Sequence, residues 1–213
     1  GLCPLWTSQF PGRVPLLGNY TTDRSTVDAE IRTADAYGLS FFDYLWSDPL
    51  LIGSGSACRW PSDPNLRPCT DTALAWMLAT DAWTHTNQLR FTITYSNDFD
   101  TWNTRGQDCF VGTHGLQNWD SFSDTWLRAF AHPRYLRVGG RPVFKILISF
   151  TFLNIQCGGN ATLAQGLIDR LRAASIARGL GDPLVGAGWQ NVNCGFKHRV
   201  LQGVKYDFTN TCT

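Results

Sequence analysis

The chain has 213 residues, 43% of them hydrophobic and 16% charged, and a formal net charge of +1. That length and composition suit one globular domain, residues 1–213, with a real core, and they exclude wholesale disorder. The near-neutral charge, without a basic run, removes the electrostatic footprint of a nucleic-acid binder or a polybasic membrane-surface protein. No apolar stretch approaches the roughly 18 residues that suggest a membrane span.

Taken in order, Pro4-Leu5-Trp6 reads as a first short strand. A helix begins near Asp23 or Ser25, either a good N-cap, and runs through Val27, Ile31 and Ala34 on one face to a stop at Gly38. The aromatic run Leu39 to Trp46 is short enough for a buried parallel strand. A long loop rich in Ser, Gly and Pro follows, about residues 47–70. Asp71 can cap a second helix carrying Leu74, Trp76, Met77 and Leu78, and Arg90 to Tyr95 is the next strand. A helix is expected from Trp119 to Phe130, a strand over Pro142 to Ile148, and a long helix from Ala161 to Arg178 ending at Gly179. Strands at Leu184 to Trp189 and Val204 to Phe208 complete the order.

Alternating strands and helices imply right-handed βαβ units and a parallel sheet. The class is α/β, with a doubly wound open sheet and a (β/α) TIM-type barrel as competing architectures. No G-x-G-x-x-G follows the first strand and there is no Walker loop, which takes support from the doubly wound nucleotide binders. Polar and aromatic residues also gather at the C-terminal strand ends, where a barrel builds its site. The barrel is favoured, but incomplete. About six of its eight strands are counted, in a chain shorter than the typical ~250 residues.

Nine Trp and thirteen Phe are many rings for one domain. Rings stack on the apolar faces of sugars, although most Trp residues simply fill cores. Sixteen of the seventeen acids are Asp, leaving Glu30 as the single Glu. The seven cysteines (Cys3, Cys58, Cys69, Cys109, Cys157, Cys194 and Cys212) form no C-x-x-C pair, so a zinc or thioredoxin-like site is disfavoured. Wide spacing suits disulfides in an oxidising compartment. Cys58 and Cys69, flanking a Pro-rich loop, are the first pair expected to bridge, and the odd count leaves one thiol over. Asn19-Tyr20-Thr21 and Asn160-Ala161-Thr162 are N-glycosylation sequons. Together these features give a secretory, extracellular signature. Gly1 opens without a signal peptide, as in a processed or partial sequence.

Several segments, in order, carry a family resemblance. They are Pro15-Leu16-Leu17-Gly18-Asn19-Tyr20, the helix end Ala36-Tyr37-Gly38, the run Phe41-Phe42-Asp43-Tyr44-Leu45-Trp46, and Arg134 to Phe144 through Gly139-Gly140-Arg141-Pro142. Tyr95-Ser96-Asn97-Asp98 followed by Trp102 adds a looser element. The series resembles the WbsX-like proteins and the related family-99 glycoside hydrolases of the endo-α-mannosidase type. That resemblance implies a barrel acting on glycans, and carries over Tyr44, Trp46, Asn97 and Trp102 as cleft residues. Strand-end position alone adds Asp43, Asp98, Trp189 and Asp207.

The departure bears on function. The family's late "N-E-W-x-E" carboxylate motif is absent, and Glu30 lies on the first helix. Glycosidic cleavage takes an acid to protonate the leaving oxygen and a second carboxylate as base or nucleophile. Asp43, Asp98, Asp100 and Asp207 are the available substitutes, although such Asp residues more often cap helices or bond loop amides. The reading is a secreted, glycan-associated module without catalysis of its own, binding glycan or building an extracellular assembly as a homo-oligomer or polymer. The alternative is an active hydrolase using Asp carboxylates or residues beyond 213. His85, His114, His132 and His198 show no ligand spacing, so neither a metal nor a cofactor is expected. There is no G-x-S-x-G elbow. Lys145, inside an apolar strand, faces either the barrel interior or a helix.

Overall fold

A computed structural model describes residues 24–47, 71–97, 119–188 and 203–209. Its elements in chain order are α1 (Arg24–Ala36), β1 (Phe41–Ser47), α2 (Asp71–Ala79), a 3₁₀ turn (Ala82–His85), β2 (Arg90–Ser96) and α3 (Trp119–Phe130). Then come β3 (Arg137–Val138), β4 (Arg141–Ile146), a π-helical turn (Thr151–Gln156), α4 (Ala161–Ala177), β5 (Leu184–Ala187) and β6 (Phe208–Thr209).

The helices form where their apolar spacing allows one buried stripe. Val27, Ile31 and Ala34 are the buried face of α1. In α3, Trp119, Phe122, Trp126 and Phe130 recur at helical spacing and are all buried. Two helices end in the same way. Beyond α1, Leu39 N–H donates to Ala34 O and Gly38 N–H to Asp35 O, with Gly38 at φ 75°. Beyond α4, Leu180 N–H donates to Ser175 O and Gly179 N–H to Ile176 O, with Gly179 at φ 70°. Both are Schellman closures, in which a left-handed glycine lets the chain turn back onto the last carbonyls.

Strands β1, β2, β4, β5 and β6 are parallel neighbours in that order, and β3 pairs antiparallel with β4. Sequential order is the decisive feature. A doubly wound sheet reverses direction at a switch point and covers both faces with helices. Here each new parallel strand is laid beside the last, and the buried apolar side chains of β2, β4 and β5 share the face that packs on the helices. This is the winding of a (β/α) barrel, of which the described residues form part. Five parallel strands are described, and the sixth expected one, Pro4-Leu5-Trp6, lies outside the described residues. The small β3–β4 hairpin was not anticipated. It follows from Gly139 and Gly140, both at positive φ (58° and 78°), a pair that fits a two-residue turn.

Alternation along the strands sorts the two faces. Phe91, Ile93 and Tyr95 of β2, Phe144 and Ile146 of β4, and Val185 of β5 join the core against the helices. Trp46, Trp119, Trp126, Tyr95, Phe122 and Phe144 form its centre, with Trp126 lying 5.4 Å from Trp46, 5.2 Å from Trp119 and 4.7 Å from Phe144. Burying one such side chain contributes roughly 1.5–3 kcal/mol, so this cluster is the main apolar tie between sheet and helices. Among the described residues, no helix is long and apolar enough to cross a membrane.

Candidate functional site

The other face of the sheet is chemically different. On β1, Phe41 and Leu45 are 49% and 55% exposed, with Asp43 between them on the same face. Residues in register on neighbouring parallel strands share a face, which adds Thr92 and Thr94 of β2 and Lys145 of β4. Thr94 Oγ1 donates to Asp43 Oδ1 at 2.5 Å, and Lys145 Nζ donates to Asp43 Oδ2 at 2.5 Å. The Lys145 and Asp43 side chains are 18% and 31% exposed. Thr92 Oγ1 is turned to the Val143 carbonyl, 2.7 Å away. Further along the row Lys145 is in register with Gly186, and Gly186 with Phe208. A Cβ on residue 186 would stand 2.2 Å from Phe208 Cε2, so only glycine leaves room for that ring to lie over β5. The result is a carboxylate, an ammonium and a hydroxyl joined together, with apolar side chains to either side.

The sequence-derived site residues are distributed differently from expectation. Asp43 is in the interior of β1, below the strand exit, and among the described residues it is the expected acid that reaches this face. Trp46 is a core residue, 1% exposed, and the strand pleat turns it towards Trp126 and Phe122. Tyr44 shares that side and packs against the core. Neither ring lines the face that carries Asp43, because β1 alternates and 42, 44 and 46 point away from 41, 43 and 45.

Asn97 does stand at the exit of β2, but it is buried and committed to the backbone. Its Oδ1 accepts from Ile148 N–H at 2.8 Å, and its Nδ2 donates to Ile148 O at 2.8 Å and to Gln156 Oε1 at 3.3 Å. Gln156 Nε2 in turn donates to Tyr95 OH at 2.9 Å. This latch holds the segment after β4 against the end of β2. For that reason Leu147 and Ile148 leave the strand that the apolar run had suggested, and β4 ends at Ile146.

Asp207 corrects a second expectation. The last strand starts after it, at Phe208, so Asp207 belongs to the N-terminal end of the sheet and not to the exit rim. It accepts from Val185 N–H at 2.8 Å and from Arg141 at 3.3 Å, and it is ion-paired with Arg172 of α4. Asp182 completes the cluster, 2.8 Å from Arg141 and 2.6 Å from Arg172. Burial works against the Asp207 charge. The Val185 N–H, Arg172 and Arg141 outweigh burial and hold the carboxyl below the usual carboxylate range. This cluster fastens α4 to the starts of β4, β5 and β6.

Asp98, Asp100, Trp102, Trp189, Asn19, Cys58 and Cys69 lie outside the described residues. Cys157 is described: it is a buried free thiol whose pKa burial pushes up to about 12. Lys145, for which the sequence allows either side of the strand, is turned away from the helices and is the partner of Asp43. Its signal was the alternation Arg141, Val143, Lys145 against Pro142, Phe144, Ile146, which sets the amine opposite the apolar face. Among the described residues, no group of three His, Cys, Asp or Glu side chains is placed to hold a metal ion. A cleft of about 490 Å³ between α2 and α3, lined by Leu74, Leu78, Ala131 and Pro133 among others, opens on the helical side, away from Asp43.

Strand order and the two-sided sheet thus define a partial, singly wound β/α domain of the barrel type. Neither a protein-family model nor a curated protein matches the chain. Among solved structures it is similar to one described as a "Glycoside hydrolase-like protein", at 15% identity and a TM-score of 0.47, over 82% of this chain and 46% of that one. The chain therefore spans about half the length of that structure.

Proposed function

We propose that this chain is an exported glycan-binding β/α module that does not itself cleave glycosidic bonds. One observation carries the reading. The face bearing Asp43 has no second carboxylate among the described residues, and Asp43 is already engaged by Lys145 and Thr94. Hydrolysis takes two carboxyl groups about 5–5.5 Å or 6.5–9.5 Å apart. Binding takes less. A sugar offers hydroxyls that both donate and accept, and C–H faces that are apolar. Asp43 and Lys145 supply acceptor and donor capacity, while Phe41, Leu45 and Phe208 supply apolar surface on the same side.

Export is supported by the two sequons and by the cysteine pattern. With Cys157 free, the other six of the seven cysteines are an even set, compatible with bridges. The resemblance to mannan-directed hydrolases suggests α-mannan as the first ligand to try. The test is equilibrium binding of the purified chain to α-mannan and to mixed glycans, with reducing-sugar release followed in the same samples. Binding without release is expected, weakened about tenfold by Asp43→Asn, roughly the 1.4 kcal/mol of one good polar contact. Asp207→Asn, at the far end of the sheet, should leave affinity unchanged. Sugar release that Asp43→Asn abolishes would replace this reading with a hydrolase, and absence of binding to every glycan would end it.

A further inference from the structure

We infer that Asn160 carries an N-linked oligosaccharide through Nδ2 while its Oδ1 continues to cap α4, so that the sugar stands on the strand-exit side of the domain. This rests on the exported reading above. Asn160 opens the sequon Asn160-Ala161-Thr162, and both Asn160 and Thr162 are exposed. Its backbone is extended, at φ −82° and ψ 96°, and Oδ1 accepts from Leu163 N–H at 3.0 Å, which makes it the N-cap of α4. Capping therefore uses the oxygen of the amide, and glycosylation uses the nitrogen. An N-glycosyl amide keeps its carbonyl oxygen, so the two roles coexist on one side chain.

Asn160 is an exposed residue at the end of an uncrowded turn. Gly158 and Gly159 precede it at φ 60° and 75°, and a Cβ on either would meet nothing within 4 Å. The turn is nevertheless well held, with Gly159 N–H donating to Leu153 O at 2.9 Å and Asn160 N–H to Cys157 O at 3.0 Å. Its position follows from the topology. The segment from Ile146 to Asn160 leaves the C-terminal end of β4 and enters α4, which runs back towards the start of β5. Asn97, at the end of β2, bonds to the same segment at Ile148 and Gln156. A chain of sugars at Asn160 thus projects beside the strand exits and leaves the Asp207 end bare.

The transfer balances simply. A lipid-linked oligosaccharide pyrophosphate is the donor. Its anomeric C1–O bond breaks, C1 bonds to Nδ2, Nδ2 gives up one proton, and the lipid pyrophosphate leaves. No electron transfer is involved.

The experiment expresses the whole chain behind a cleavable signal in a glycosylating secretory host, beside a control glycoprotein. The peptides containing Asn19 and Asn160 are mapped after enzymatic deglycosylation in heavy-oxygen water. Isotope incorporation at position 160 is expected, and Thr162→Ala and Asn160→Asp should each abolish it. An unmodified Asn160 beside a modified Asn19 overturns this inference and leaves the exported reading standing. If neither sequon is modified while the control is, both readings fall. The cap is tested separately. Asn160→Gln should melt below Thr162→Ala although both lack the sugar, and equal melting temperatures would overturn the dual role.

Discussion

Lys145 Nζ donates to Asp43 Oδ2 at 2.5 Å across the intervening strand β2, joining residues 102 positions apart. The pair spans three strands, with Thr94 of the middle strand bonded to the same carboxylate. It therefore acts in two ways, as a cross-strand tie and as the polar centre of the sheet face turned away from the helices.

Removing the amine should expose how much of that tie is energetic. The pair is neither fully solvated nor fully buried, so the large penalty for orphaning a buried charge is reduced by solvent screening. Lys145→Met should lower unfolding stability by about 1–2 kcal/mol, with Asp43→Asn similar. A double-mutant cycle measured by urea unfolding should show a coupling of about 0.5–1 kcal/mol. Strict additivity would mean that the two side chains meet without stabilising the sheet.

Asp207 makes a pH-dependent contribution at the opposite end. Its folded pKa lies below the ordinary 3.8, so the unfolded chain takes up the proton more readily. The stability it confers is fully present above about pH 4 and is lost as pH falls through the lower folded value. Asp207→Asn should lower the neutral-pH plateau, by about 1–3 kcal/mol, and flatten the loss below pH 4. Urea midpoints at a series of pH values are the measurement, and an acid limb unchanged by the substitution would contradict the assignment.

His132 should govern a separate, milder window. Burial, and then Arg134, push its pKa below 6.5. Its ring lies 5.3 Å from Phe91 and 5.9 Å from Trp83, and Nδ1 accepts from Arg134 N–H at 3.1 Å, an arrangement of the neutral imidazole. On acidification the unfolded chain is protonated first. Stability is therefore complete above pH 6.5 and declines as pH falls from there towards the folded value. His132→Asn, which keeps an acceptor but does not titrate, should flatten the stability profile as pH falls below about 6.5. A profile with the same slope in both proteins would exclude His132 as the cause.

Much of the fold was legible because it depends on short-range rules. Helix spacing marked Val27, Ile31 and Ala34, the span Trp119–Phe130 appeared in full, and Gly38 and Gly179 ended helices where left-handed backbone was needed. That Glu30 is the single Glu among seventeen acids was equally a property of the chain itself. The expected α/β class and barrel-type winding agree with the parallel, sequential strand order.

Tertiary structure decided which face each of those residues met, and for a physical reason. Strand alternation says that Phe42, Tyr44 and Trp46 share one side and Phe41, Asp43 and Leu45 the other. In a run aromatic on both sides it does not say which side the helices cover. Only packing against Trp126 and Phe122 assigns Trp46 to the core. The site itself depends on parallel pairing between β1, β2 and β4, which carries Asp43 to Lys145 through space. Local propensity contains no term for a contact made that far along the chain, and the same long-range docking draws Asn97 into the latch and Asp207 into the ion cluster.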